Sequence, residues 1–149
     1  MQTIHTSASI IGPMAGAMLN VMGTRNEIKL HADACGGALS VFEITAGPGD
    51  GIPPHVHTHE DEMFYVIEGE VEFDDAGTLT LGTPGTFAFL PRGRAHAWFV
   101  RGERPARLLL MTCPGTFNRF FAELATPLGQ TRPMPDVIDI CRRHGIEFV

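Results

Sequence analysis

The sequence predicts an all-β fold, a small barrel or sandwich of short strands, and two observations carry that prediction. Among 149 residues there are 17 glycines and 11 prolines, a load of turn formers that favours many short strands over a helical bundle. Between those turns, some eight to ten short apolar or alternating runs recur at near-regular spacing, the pattern of a sandwich or barrel. At 44% hydrophobic and 19% charged, the chain has the material for one buried core and is not a disordered one.

Taken in order, residues 18–30 read as two short strands around a turn at Gly23–Asn26. ALSVFEITA alternates and stops at Gly47-Pro48-Gly49, giving the next strand. HVH and MFYVIEG are strands separated by the acidic turn HEDE. VEF and TLTL form a hairpin whose turn lies near Asp75, Ala76 and Gly77. TFAFLP, HAWFV and RLLLMT supply three more, divided by PRGR and RGERP. The ending changes period: Phe117, Phe120, Phe121 and Leu124 fall at i, i+3, i+4 and i+7, one face of a helix. A second helix carries Val137, Ile140, Cys141 and His144, with Asp136 as its cap and Gly145 as its stop. Both helices are expected to cover an outer face of the barrel or a partner subunit. Without repeat or linker, residues 1–149 read as a single domain, with a barrel core from about residue 23 to 113 and a helical extension from about 114 to 149.

Composition narrows the partners. The formal net charge is -6, Lys29 is the only lysine, and no Lys/Arg run exists, so neither nucleic acid nor an anionic membrane is an expected partner. Cys35, Cys113 and Cys141 are odd in number and far apart, which implies no disulfide framework and a cytoplasmic setting. The apolar stretch from Ile10 to Met22 lacks a basic flank and is broken by Gly12, Pro13 and Gly16, and reads as strand and loop rather than a signal peptide.

The segment with chemistry is GDGIPPHVHTHEDEMFYVIEG. Side chains two apart on a strand share a face, so His55 and His57 project together and can chelate one ion. Glu62 follows at an odd offset, and a turn at His59–Asp61 is needed to bring it back beside them, with Phe64 and Val66 on the same face. Met63, Tyr65 and Ile67 then look outward. Far along the chain, His96 opens a strand whose inner face continues through Trp98 and Val100. Three imidazoles and one carboxylate suit one divalent transition metal, Fe, Mn, Ni, Co, Cu or Zn, with positions left for substrate. Phe64, Phe89 and Trp98 are candidates for an aromatic-binding wall, and Arg94, sharing parity with His96, for an anionic substrate group. His59, Glu60 and Asp61 read as a solvated turn.

These residues resemble the two motifs of the cupin superfamily, G-x5-H-x-H-x3-4-E-x6-G and G-x5-P-x-G-x2-H-x3-N. Gly49, His55, His57, Glu62 and Gly69 fill the first; Gly85, Pro91, Gly93 and His96 fill the second, with Val100 where the family usually has Asn. From about Gly23 to Leu124 the chain is similar to the quercetin 2,3-dioxygenase-like group, although flavonol dioxygenases carry two barrels and this chain one. The resemblance implies a double-stranded β-helix and a metal-dependent dioxygenase for a small aromatic or enolic, flavonol- or diketone-like compound. It assigns Glu62 as a ligand that doubles as general base. The other class it leaves open is a non-redox cupin, an isomerase or lyase, or a small-molecule sensor. Cupins of this size commonly pair through outer sheet faces, so a homodimer is expected.

Overall fold

The computed structural model describes residues 7–149. Its strands are β1 (Met18–Val21), β2 (Thr24–Leu30), β3 (Ser40–Ala46), β4 (Gly51–His57), β5 (Asp61–Glu68) and β6 (Glu70–Asp75). β7 (Thr78–Gly82), β8 (Phe87–Leu90), β9 (His96–Arg101) and β10 (Ala106–Cys113) follow, then helices α1 (Phe117–Leu124) and α2 (Met134–Arg143) and a last strand, β11 (Ile146–Phe148). The strands form two antiparallel sheets, ordered β1-β2-β3-β10-β5-β8 and β11-β4-β9-β6-β7. This is a double-stranded β-helix.

Alternation explains why the two sheets face each other. In β5, Glu62, Phe64 and Val66 are buried while Met63, Tyr65 and Ile67 face outward. In β10, Leu108 and Leu110 are buried between Leu109 and Met111, which are less so. Phe42 and Ile44 of β3 join them, and the opposite sheet contributes Val71, Phe73, Trp98 and Val100 to the same core. A one-residue slip in any of these strands would send its apolar set to solvent, so the pattern fixes the register. The hairpin turn between β6 and β7 is as expected: Ala76 and Gly77 take φ of 48° and 95°, the left-handed pair that a two-residue hairpin turn requires.

Gly69, the last position of the first motif, has φ 83°, and a Cβ there would lie 2.7 Å from the Cα of Ala106. The sharp β5–β6 corner therefore admits glycine alone.

The helices form where the period indicated, but their place differs from the expectation. α1 and α2 do not pack on an outer sheet face; they close one end of the barrel, and Phe117, Phe120, Phe121, Leu124, Val137, Ile140 and Cys141 all join the core. The reason is that their apolar faces are buried by joining the core between the sheets rather than by lying on a solvent-facing surface. Glu123 ties the helices together, accepting from the Arg143 guanidinium and pairing with His144 Nε2 at 2.7 Å. Asp136 is not the cap of α2: Pro133 holds that position, and Asp136 lies in the first turn, where its charge complements the helix dipole. Gly145, at φ 73°, ends the helix as expected. Among the described residues, no helix is long and apolar enough to cross a membrane.

Candidate metal centre

His55 and His57 share the inner face of β4, and His55 pairs directly with His96 across the β4–β9 ladder. Glu62 reaches the same point from the other sheet, at the start of β5. The tight turn between β4 and β5 makes this possible, because it hands the chain from one sheet to the other. All four side chains are buried, at 2–4% exposure. One ligand atom from each lies within 4.8 Å of the rest. A metal bonded at about 2.0–2.2 Å allows donors to lie up to roughly 4.4 Å apart, so the cluster is within a few tenths of an ångström of closing on an ion.

The imidazoles are oriented by the backbone. His55 Nδ1 donates to the carbonyl of Pro53 at 2.8 Å, and His96 Nδ1 to that of Arg94 at 3.1 Å. A carbonyl can only accept, so each Nδ1 carries the hydrogen and each Nε2 is left as the donor atom for a metal. His96 Nε2 nevertheless lies 2.9 Å from Glu62 Oε2, with His57 Nε2 at 3.6 Å from the same oxygen. A lone pair and a carboxylate that close need a cation or a proton between them. Both ring nitrogens of His57 are buried without a hydrogen-bond partner. These donors fit a divalent transition metal.

Electrostatics prepares them for it. Burial alone would raise the Glu62 carboxyl, but the imidazoles of His57, His96 and His55 outweigh it and hold its pKa down to about 2. Burial pushes His55 down to about 4, with the Glu62 charge only partly opposing. His57 is different: burial pulls it down, yet Glu62 and Glu60 together leave it above the ordinary histidine value. The centre thus offers an ionised carboxylate and a neutral His55, the forms that bind metal.

Above the ligands lies a cavity of about 60 Å³, walled by Ile44, Phe64, Trp98 and Leu110 from the sheets and by Phe117, Phe120 and Phe121 from α1. Ile146 and Phe148 of β11 complete it. Phe117 stacks obliquely on His57 with ring centres 5.4 Å apart. No Lys or Arg lines the cavity among the described residues.

Of the expected site residues, Phe64 and Trp98 line this cavity, while Phe89 and Arg94 do not. Phe89 is 56% exposed. Its register partner is the outward Met63, whereas Leu90 pairs with Glu62 and faces in, so the parity of β8 is opposite to the one assumed. Arg94 is also outside, bound to Asp75 with its second nitrogen 3.1 Å from Oδ2. It precedes the first residue of β9, so strand parity with His96 does not apply to it. His59 is exposed, as expected, but Glu60 is not a solvated residue. It is 3% exposed, accepts a hydrogen bond from the Thr116 hydroxyl, and lies 3.6 Å from His57 Nδ1. Asp61 is held by Arg92, whose backbone N and Nε both donate to its Oδ1 at 3.0 Å. The sequence reading missed Glu60, Asn26 and the aromatic wall from α1; for the last, the helical stripe was visible but its destination was not.

Residues 42–112 match the Cupin domain family. Together with the completed motifs and the double-stranded β-helix, this places the chain in the cupin superfamily. It is 26% identical over 108 residues to quercetin 2,3-dioxygenase of Bacillus subtilis (strain 168), covering 72% of this chain and 32% of that one. It is 34% identical over 103 residues to germin-like protein subfamily 2 member 2 of Arabidopsis thaliana, covering 60% and 47%. The chain thus spans about a third to just under a half of the length of these curated relatives. Among solved structures, KdgF from Halomonas sp. superposes with a TM-score of 0.65 at 20% identity, covering 72% of this chain and 94% of that one, a likeness of fold.

Proposed function

We propose that this protein is a metal-dependent cupin dioxygenase acting on a small aromatic or enolic compound. One observation carries the reading: the three-histidine, one-carboxylate centre opens directly into a mainly apolar cavity with six Phe or Trp side chains and, among the described residues, no Lys or Arg on its wall. Such a wall favours an uncharged ring or enol and gives a phosphate or carboxylate group no counter-charge. The likeness to quercetin 2,3-dioxygenase, whose name states both oxygen chemistry and an aromatic substrate, supports the same reading.

His55, His57, His96 and Glu62 would hold the metal. When bound, it would supply access to dioxygen and acidify an enol or phenol oxygen placed beside it. Phe64, Trp98 and Phe117 exclude water and set the plane of a ring. Glu62 receives the substrate proton on the oxygen that His96 does not engage. Its low pKa makes it a weak base, so it serves only a donor that has been acidified.

The test is metal analysis of untagged protein, followed by oxygen uptake with catechols, flavonols and β-diketones. Consumption of one O2 per substrate, with both atoms in product, is the expected result. Turnover without oxygen, or with zinc as the only metal, would assign the protein to the isomerases or lyases instead. Saturable binding of these compounds with no turnover would assign it a sensing role.

A further inference from the structure

Asn26 lies on the inner face of β2, 1% exposed, among the residues that line the cavity. Its Nδ2 donates to the carbonyl of Thr24 at 3.1 Å and to Thr24 Oγ1 at 2.9 Å. Thr24 Oγ1 in turn donates to the carbonyl of Val21 at 2.8 Å, so it can only accept from Asn26. Flipping the amide would set its oxygen against the Thr24 carbonyl, acceptor against acceptor. The orientation is therefore fixed, and it leaves Oδ1 as a buried acceptor with no partner in the protein. Buried acceptors are almost always paired, because an orphan loses its hydration for nothing. Asn is also a poor strand former, so local propensity gives no reason for it here.

We infer that Asn26 determines substrate specificity: its Oδ1 accepts a hydrogen bond from the hydroxyl of an uncharged phenol or enol bound in the cavity. The inference rests on the proposed reading of the cavity and narrows it. Apart from the candidate metal ligands the surrounding wall is mostly apolar, and the Thr24 hydroxyl on it is already committed. A site built to pair with a hydroxyl rejects the analogue that lacks it, since the protein acceptor is then left unpaired.

Calorimetric titration of the zinc-loaded protein with phenol, anisole, benzene and benzoate tests this. Phenol is expected to bind about tenfold more tightly than anisole or benzene, the worth of one net hydrogen bond. In Asn26→Leu the preference for phenol is expected to vanish. A crystal structure of the phenol complex is expected to place the hydroxyl within hydrogen-bond distance of Oδ1, a measurement that stands even if the variant does not fold. Equal binding of phenol and anisole, a preference that persists in Asn26→Leu, a hydroxyl beyond hydrogen-bond distance of Oδ1, or benzoate as the tightest ligand would each overturn the inference. Oxygen uptake is scored apart. Hydroxyl discrimination through Asn26 with no uptake retains this contact and sinks the dioxygenase reading, and uptake without that discrimination does the reverse.

Discussion

Glu60 faces His57 across 3.6 Å inside the protein, and its other oxygen is held by the hydroxyl of Thr116 at the N-terminus of α1. The helix that closes the barrel is in this way connected to the orientation of a candidate metal ligand. A carboxylate behind an imidazole fixes its tautomer and raises its basicity, and losing such a partner typically costs about 10–100-fold in metal affinity. Glu60→Gln is expected to weaken zinc or iron binding by that order while leaving the fold intact, as read by chelator competition and circular dichroism. Thr116→Val should move affinity in the same direction by less.

Removing a ligand and removing a charge should fail differently. His57→Ala takes away a buried donor and is expected to lower metal occupancy on elemental analysis. Glu62→Gln keeps three imidazoles and is expected to retain most of the metal. Its turnover should fall by about 10²–10⁴-fold, the usual contribution of a positioned base.

Metal binding should stabilise the fold in a pH-dependent way. At a free metal concentration 100 times Kd, the gain is about 2.7 kcal/mol, visible as a raised melting temperature. Imidazoles must be deprotonated to bind, so protons compete and the gain shrinks as pH falls. His57, held above the ordinary histidine value of 6.5 by Glu62 and Glu60, takes up its proton before His55 does. The loss should therefore begin on the alkaline side of 6.5, and the melting-temperature difference with and without metal measures it.

The Asp61–Arg92 pair makes a separate prediction. The Arg92 side chain and backbone N–H hold Asp61 down to about 2, from an ordinary value of 3.8. A depressed carboxylate contributes stability above its unfolded pKa and loses it as pH falls through the folded one. Asp61→Asn is therefore expected to cost less than about 1 kcal/mol at neutral pH, since Arg92 is half-exposed. The difference from wild type should disappear between pH 4 and about 2. Urea unfolding across that range checks it.

The centre was legible in the sequence because it depends on short-range arithmetic. His55 and His57 share a face by strand period, and the second motif gives His96 a fixed offset from Pro91 and Gly93. Phe89 misleads in the sequence because TFAFL alternates large and small residues, and bulk suggests burial. Only the pairing of Leu90 with Glu62 shows that the smaller set faces in. Glu60 was hidden because its partner, Thr116, lies 56 residues away and HEDE has the composition of a solvated turn. Asn26 carries no local signal at all, since its meaning depends on the cavity that the distant α1 completes.

β11 pairs its three residues with β4, Ile146 opposite His57 and Phe148 opposite His55. The strand that presents two of the four candidate ligands thus waits for its second neighbour until about 90 further residues have been made. At roughly 5–20 residues per second, that is an interval of some 5–20 s of synthesis. Once β9 has been made, β4 has that strand on one side and an open edge on the other, a template for pairing with a neighbouring nascent chain. Chains truncated before Ile146 keep that edge permanently and lose the cavity wall formed by Ile146 and Phe148, so premature termination or C-terminal trimming should be seen as aggregation.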